Sequence, residues 1–363
     1  MKKLSLLICL LCAAIATSAA PKSDATYQSI RQQYRAGRIS ADSVVSLALY
    51  HKVYDPQLAE QCLKLVNTPR ADMELGVLYA FSPEFAKHSA DGLKLLQRAA
   101  QSGQNEANCY LGLYYFNHKD YSKAKTYLDA CHPQYGIGYT ALGSMYTSGS
   151  GVKQDLAKAR ENFRQAALKG YPRGMALYGF NLRANAGGAI DYPDSFFWLY
   201  IAGDLGDDAA RVTLFLPMRG ENRGDSETAQ QAFTALQFIQ KTQSGKKIQN
   251  EPIYRDGFLQ SLKERENAAE QGDDWARYYL GSMNYNGDFL NQNYAQVLHY
   301  YVPIAQNGKL PRNVLAVVNQ RLAELYRDGK GTKADPVKAE RHTRLAAHYG
   351  SLPAYKTAEH ITD

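Results

Sequence analysis

Small, apolar and aromatic residues recur along the chain in one order, with polar positions between them. The phrase is Ala-x-x-x-Leu-Gly-x-x-Tyr, and its clearest copies begin at Ala71, Ala107 and Gly138. The glycines at positions 76, 112, 143 and 179 are 36, 31 and 36 residues apart. Weaker copies lie around Leu280-Gly281 and Leu322-Ala323. Self-similarity at such a period is typical of proteins that stack one supersecondary unit after another.

A second phrase, Ala-Ala-x-x-Gly, occurs at 99–103, 166–170, 268–272 and 346–350. Between the two phrases in the clearest copy, Gly149 and Gly151 break a first helix, and Asp155 is expected to cap a second one. The second helix is expected to direct a small set of residues inward: Ala159, Phe163, Ala166 and Ala167. The pattern therefore predicts one helix hairpin per repeat, whose apolar face is buried by stacking on its neighbours.

Some copies depart from this pattern. The copy at 107–134 lacks the Gly-x-Gly turn and carries Phe116-Asn117-His118-Lys119-Asp120 in its place. In the copy at 276–308, Asn284 stands where tyrosine is expected. Pro303 lies within the second helix of that copy, and we expect it to interrupt the helix because proline lacks a backbone N–H.

These phrases resemble the Sel-one-like repeat, a relative of the tetratricopeptide repeat. Residues 138–170 match the family pattern almost throughout, and 322–350 match it well. The resemblance implies an all-α fold, a right-handed α-solenoid of stacked antiparallel helix hairpins. It covers about residues 70–210 and 257–350, and it implies that the surface of the stack binds other proteins.

The predicted domain organisation follows from where the phrases stop. Residues 207–245 are helical in pattern but carry neither phrase, and a polar, turn-prone stretch follows at 242–252. Whether the two runs of repeats form one superhelix or two hinged blocks stays open. The predicted segments are a signal peptide at 1–19, an N-terminal helical cap at 20–69, repeats at 70–210, capping helices at 211–245, a linker at 246–256, a second repeat block at 257–350 and a tail at 351–363.

The N-terminus has the three parts of a secretory signal peptide. Lys2 and Lys3 precede an apolar run from Leu4 to Ala16, and small residues follow before Pro21. The apolar run is shorter than the ~20 residues that a membrane-spanning helix needs. We expect cleavage between Ala19 and Ala20, which predicts a periplasmic or secreted protein without membrane insertion.

Charge gives little information about the partner. The net charge is +7, from 42 Lys and Arg against 35 Asp and Glu. No dense basic stripe accompanies this excess, so nucleic-acid binding is not expected. One basic set near the C-terminus is interpreted as a solvated outer face, with an acidic partner as the alternative: Arg327, Lys330, Lys333, Lys338, Arg341 and Arg344.

Three cysteines remain after the predicted cleavage. Cys109 lies near the start of one helix and Cys131 near the end of its antiparallel partner, so both fall at the same end of one hairpin. An oxidising compartment permits a disulfide there. We favour the pair Cys109 and Cys131 over two buried free thiols, with Cys62 left unpaired.

No catalytic pattern is found, and neither a cofactor nor a metal is expected. The eight histidines form no His-Glu-x-x-His motif, and Gly149-x-Gly151 lacks the strand that a nucleotide-binding loop requires. Ser148-Gly149-Ser150-Gly151 joins two helices, whereas a nucleophile elbow joins a strand to a helix. We therefore predict that the protein is not an enzyme.

Tyrosine is abundant, with 27 in the chain. Tyrosines in the repeat phrase are expected to be buried, but four others are candidates for partner binding because aromatic side chains are enriched at binding hot spots. These four are Tyr110, Tyr114, Tyr278 and Tyr279.

The leading hypothesis is an exported, non-enzymatic scaffold, an adaptor or regulator that binds an envelope protein. The resemblance also permits an immunity protein that neutralises an incoming toxin effector, such as a lipase. A β-lactam-binding or β-lactam-hydrolysing enzyme is a third possibility. The chain lacks the paired cysteines of such relatives and a suitably placed Ser-x-x-Lys, so this reading is disfavoured.

Overall fold

The computed structural model describes residues 24–52, 55–131, 135–184, 186–215, 262–287 and 290–351, and it gives no side-chain environment for 212–215. All regular elements within these ranges are helices. The predicted signal peptide with its Ala19–Ala20 cleavage site lies outside the described residues. So do the linker, most of the capping helices and nearly all of the C-terminal tail.

In the part of the chain that the structure describes, three helices precede the repeats, and the first run of repeats then consists of four helix pairs. The N-terminal helices are α1 (24–35), α2 (Ala41–His51) and α3 (Pro56–Leu65). The first run of repeats pairs α4 (Pro69–Phe81) with α5 (Ser89–Gln101), α6 (Glu106–Asn117) with α7 (Tyr121–Ala130), α8 (Gly136–Ser148) with α9 (Leu156–Leu168), and α10 (Pro172–Arg183) with α11 (Tyr192–Asp204). A 3₁₀ helix, Pro83–His88, joins α4 to α5.

The second run has the same arrangement. Helices α12 (Asp208–Phe215) and α13 (262–270) flank the undescribed stretch between the runs. The second run pairs α14 (Asp274–Asn286) with α15 (Tyr294–Asn307), and α16 (Arg312–Asp328) with α17 (Pro336–Tyr349).

The glycine of the first phrase lets the two helices of a pair approach closely. A Cβ atom on Gly143 would lie 2.6 Å from the ring of Phe163 in α9. A Cβ atom on Gly112 would lie equally close, 2.6 Å, to the side chain of Leu128 in α7. Since real Cβ contacts are wider than this, only glycine fits at these positions without a shift of the neighbouring side chain or helix.

The Asp and Lys positions between the phrases stabilise the start of the second helix in the copies that best match the pattern. The carboxylate of Asp155 accepts a hydrogen bond from the backbone N–H of Lys158 at 2.9 Å, so it caps α9 as expected. The Lys158 ammonium lies 5.6 Å from the ring centroid of Tyr146 in the preceding helix. Asp335 and Lys338 repeat the cap in α17. In these two pairs the motif therefore joins the second helix to the aromatic residue of the first.

The predicted inward face of α9 is confirmed. Ala159, Phe163, Ala166 and Ala167 are at most 2% exposed. The expected interruption at Pro303 is wrong, because α15 continues through this residue. Val297, Tyr301 and Ile304 are fully buried on either side of it, and this packing outweighs the ~3 kcal/mol that an interior proline costs.

The first helices of successive pairs form the inner side of the first run. Helices α4, α6, α8 and α10 contact one another in order, whereas each second helix packs mainly on the first helices beside it. A stack in which one layer of helices is closer together curves toward that layer. The first helices therefore line the inner side.

One hydrophobic cluster extends from the end of the first run through the second run. It begins with Ala159 and Phe163 in α9, includes the buried aromatic residues of α11, and reaches Ala339 in α17. The described parts of the two runs therefore share a core.

A disulfide links Cys109 in α6 to Cys131 at the end of α7, with the Cα atoms 5.0 Å apart. This is the pair favoured from the sequence, and it closes the hairpin that lacks the Gly-x-Gly turn. Cys62 is free and fully buried in α3, and burial raises the pKa of its thiol to about 12. This thiol is therefore unreactive in the folded protein.

We expect the replacement of both Cys109 and Cys131 by alanine to lower the free energy of unfolding by about 2–4 kcal/mol, because the bond restricts the unfolded chain. Thermal unfolding with and without a reductant measures this. The reductant should destabilise the wild type and leave the double variant unchanged. Alkylation of the denatured, unreduced mature chain should label one cysteine, and three labels would contradict the disulfide.

We expect Gly143→Ala to lower the free energy of unfolding by about 1–3 kcal/mol, because the added methyl group collides with Phe163. This sign is opposite to the gain of about 0.5–1 kcal/mol for the same change in an unobstructed helix. Urea denaturation of this variant beside Ser144→Ala, its neighbour on α8, measures the difference. A stabilised Gly143→Ala protein would contradict the close packing of α8 on α9.

Candidate binding surface and the buried Asp204 cluster

The inner side of the first run exposes a row of apolar, aromatic and acidic side chains. Since a helix turns by about 100° per residue, positions two before, one after and five after the phrase glycine face away from the second helix. We name the half-buried apolar, aromatic and acidic residues at these positions the inner face of the first run. They are Glu74, Phe81, Tyr110, Leu113, Leu177 and Phe180.

Two carboxylates lie close together at one end of this inner face. Burial raises the pKa of Glu74, and the ammonium of Lys52, 3.9 Å away, opposes this only in part. Burial also raises the pKa of Glu106, and the negative charge of Glu74 raises it further. Both carboxylates therefore lie where an additional positive charge would stabilise them.

The predicted binding tyrosines divide into two groups. Tyr110 and Tyr114 are half-buried on α6. The ring of Tyr110 lies 6.2 Å from that of Phe81, whereas Tyr114 stacks on His118 at 4.1 Å. Only Tyr110 belongs to the inner face of the first run.

The prediction that Tyr278 and Tyr279 contact a partner is wrong for this structure, since they are 0% and 2% exposed. The ring of Tyr279 packs against Phe197 and Tyr200 of α11 at 5.0 and 5.3 Å. The α11 helix therefore covers the face on which a partner was expected.

The same contact buries a network of charged and polar groups around Asp204. The Asp204 carboxylate accepts hydrogen bonds from Arg321 at 2.7 and 3.1 Å and from the Tyr278 hydroxyl at 2.6 Å. Ser282 and Asn286 also donate to it, at 2.9 and 3.0 Å. We name these five residues the Asp204 cluster. The acceptor belongs to α11, and all four donors belong to the second run.

Asp204 and Arg321 keep their charges throughout the physiological pH range. The side chains of Asp204 and Arg321 are 4% and 13% exposed, so both ions are largely removed from water. Burial by itself raises the pKa of Asp204, but Arg321 and the hydrogen bonds from Tyr278 and Asn286 outweigh it and lower the pKa to about 2. Asp204 is therefore ionised at every physiological pH.

Sequence reasoning missed this cluster. Asp204 occupies an unspecified position of the degenerate phrase Ala202-Gly203-Asp204-Leu205-Gly206, where other copies carry Gln101, Leu168 or His348. Its burial depends on a helix that begins 70 residues later, at Asp274. Nothing local in the sequence indicates that contact.

The basic set near the C-terminus is exposed, as interpreted from the sequence. Several of its members have acidic neighbours: Asp328 pairs with Arg327 and Lys330 at 3.1 and 3.0 Å, and Glu340 pairs with Arg344 at 2.6 Å. Such exposed pairs contribute little stability.

Within the described ranges, no three or more His, Cys, Asp or Glu side chains are grouped so that they could hold a metal ion. His342, for example, bonds to Asn319 at 2.8 Å and stacks on Tyr326. Burial lowers its pKa to about 4, so the imidazole is neutral. Among the helices described, none has the length and apolar character needed to cross a bilayer.

Comparison with known proteins agrees with the repeat pattern. The family model for the Sel1 repeat matches residues 136–171, 276–309 and 319–350. The chain contains Sel1 repeats. The three matches cover the α8–α9 and α14–α15 pairs and most of α16–α17, and the all-α solenoid of stacked helix hairpins predicted from the sequence is confirmed.

The solved structures similar to the chain include two repeat proteins. The c5321 protective antigen of uropathogenic Escherichia coli, which displays an SLR fold, is 18% identical over 89% of this chain and 80% of its own, with a TM-score of 0.38. A Sel1 repeat protein from Oxalobacter formigenes is 19% identical over 69% of this chain and 86% of its own, with a TM-score of 0.28. No curated protein matches the chain significantly.

We expect Asp204→Asn to lower the free energy of unfolding at neutral pH by about 3–5 kcal/mol, because it leaves Arg321 buried without its counter-charge. The lowered pKa of Asp204 means that its stabilisation is present above about pH 4 and is lost as the pH falls toward about 2. The variant should lack this part of the pH dependence. Urea denaturation across this range measures both effects.

Asp208→Asn provides the control, since the side chain of Asp208 is 92% exposed. We expect this variant to match the wild type. Equal stability of the Asp204 and Asp208 variants would contradict a buried, ionised Asp204.

Proposed function

We propose that this Sel1-repeat protein is an exported, non-enzymatic scaffold that binds a protein partner on the inner face of the first run. Sel1-repeat proteins generally act as scaffolds for protein–protein interactions. The observation that carries the proposal is the row of half-buried side chains from Glu74 to Phe180 along the inner side of the stack. Such a curved surface suits an extended or helical segment of another protein.

Charge complementarity suggests the chemistry of the partner. Burial raises the pKa values of Glu74 and Glu106, and the negative charge of Glu74 raises that of Glu106 further, so a lysine or arginine from a partner would relieve an electrostatic cost. Phe81, Tyr110 and Leu113 supply apolar area beside these carboxylates. The preferred partner segment therefore combines a basic residue with apolar ones.

Export is the second part of the proposal. The basic and apolar N-terminal segment supports it, and the disulfide between Cys109 and Cys131 is compatible with an oxidising compartment. We propose the periplasm or the extracellular space as the location.

In-cell photocrosslinking tests this proposal. A photoreactive phenylalanine analogue at Leu177, on the inner face of the first run, should capture one stoichiometric partner. The same analogue at Tyr300, a half-buried residue of the second helix α15, should capture little. Capture from Tyr300 alone, or from neither position, would contradict the proposal.

The identity of the captured protein also distinguishes an adaptor or regulator from an immunity protein. A resident envelope protein would indicate an adaptor or regulator, whereas a delivered toxin effector would indicate an immunity protein. Cell fractionation of the tagged protein tests the location independently.

We expect Tyr110→Ala and Glu106→Gln to weaken binding of the captured partner by about tenfold each, as for contacts of about 1–2 kcal/mol at a hot spot. Tyr300→Ala is the matched control and should bind as the wild type does. Isothermal titration with the purified partner measures these affinities. Equal losses for Tyr110→Ala and Tyr300→Ala would contradict a binding site on the inner face.

A further inference from the structure

The inner positions of the second run are occupied by the protein itself. The same rule, two before, one after and five after the phrase glycine, selects Tyr279, Ser282 and Asn286 in α14, and the position six before it holds Trp275. In α16, the position two before Ala323 holds Arg321. All five of these side chains contact α11.

The contacts follow the length of α11. Trp275 packs edge-to-face on Trp198 at 5.5 Å, and Tyr279 packs against Phe197 at 5.0 Å. At the C-terminal end of α11, Asn286 donates to the Tyr200 hydroxyl at 3.2 Å. The contacting residues of α11 are therefore Phe197, Trp198, Tyr200 and Asp204, which lie on one side of a helix.

The polar contacts at the end of this interface run in one direction. Tyr278, Ser282, Asn286 and Arg321 all donate to the single carboxylate of Asp204. Aromatic anchors in a desolvated pocket are also how a groove holds a helical ligand, and the buried carboxylate adds a polar anchor here.

Ordinary stacking in the first run uses another face. Helix α10 packs on α9 through Gly174, five residues before its phrase glycine, where an added Cβ atom would collide with Ala166. Small residues make that contact, whereas tryptophan, tyrosine and arginine make the contact of α14 and α16 with α11. The second run is therefore not placed on α11 by the usual repeat contact.

We propose that the inner face of the second run is a helix-binding groove that the chain fills with its own α11, anchored by Asp204. This docking does not depend on the covalent connection through residues 216–261. It closes the groove of the second run to other proteins and leaves the inner face of the first run as the surface for a partner. The last point rests on the proposed function.

Cleavage of the full mature chain tests the docking directly. A specific protease site inserted after Ser244 allows the folded protein to be cut between the runs. The two halves should co-elute in size-exclusion chromatography at micromolar concentration. Separation of the wild-type halves would overturn the proposal, because the covalent connection would then be what holds the runs together.

The chain carries a spectroscopic probe for the same contact. Its two tryptophans are Trp198 and Trp275, one on each side of the interface. Tryptophan emission should stay unchanged after cleavage of the wild type. A red shift of that emission without loss of helical circular dichroism would show that α11 has left the groove.

Variants of the anchor measure its strength. After cleavage, Asp204→Ala should weaken association of the halves by at least about a hundredfold, because it leaves Arg321 buried and unpaired. Asn286→Ala removes hydrogen bonds without leaving a charge and should weaken it by about tenfold. Asp208→Ala, on the exposed Asp208, is the control.

Co-elution of the cut Asp204→Ala and Asn286→Ala halves with unchanged affinity would overturn the anchor. If Asp204→Ala does not fold, Asn286→Ala alone decides the outcome. None of these measurements involves a partner protein. Their failure is therefore distinct from failure of the proposed function, which the crosslinks from Leu177 report.

Discussion

The buried ion pair between Asp204 and Arg321 restricts how the two runs of repeats lie against each other. The carboxylate and the guanidinium lie 2.7 Å apart and are largely removed from solvent, so each charge depends on the other for compensation. Replacing such a pair with apolar residues is often neutral for stability, but removing one partner is costly. The pair therefore contributes mainly to specificity. Any shift of α14 and α16 along α11 would leave two buried charges unpaired, which raises the free energy of the shifted arrangements.

This constraint explains the difference between the two inner faces. In the first run, Glu74, Tyr110 and Leu177 are half-buried and keep part of their surface exposed to solvent. In the second run, the equivalent residues Tyr279 and Arg321 are packed on α11. One repeat pattern therefore yields an open surface in the first run and a filled groove in the second.

The sequence predicts what is local and periodic. The cap at Asp155, the inward face of Phe163 and the pairing of helices depend on spacings within about one repeat, and all agree with the structure. The pair Cys109 and Cys131 belongs to the same class, because both cysteines lie at one end of a single hairpin.

The sequence does not predict contacts between distant repeats. Tyr278 and Tyr279 resemble exposed aromatic residues when only their own helix is considered, and only α11 shows them to be buried. Asp204 resembles a solvated residue for the same reason. Pro303 was expected to break α15 because its local cost is known, whereas the burial of Tyr301 and Ile304 comes from tertiary packing.

Native-state hydrogen exchange on the uncut protein tests the central claim, that the Asp204 cluster couples the two runs. In Asp204→Ala, amides of α11, α14 and α16 should lose protection together, while those of α4 and α5 should keep it. Loss confined to the few residues around position 204, or an equal loss in every helix, would contradict this account of the structure.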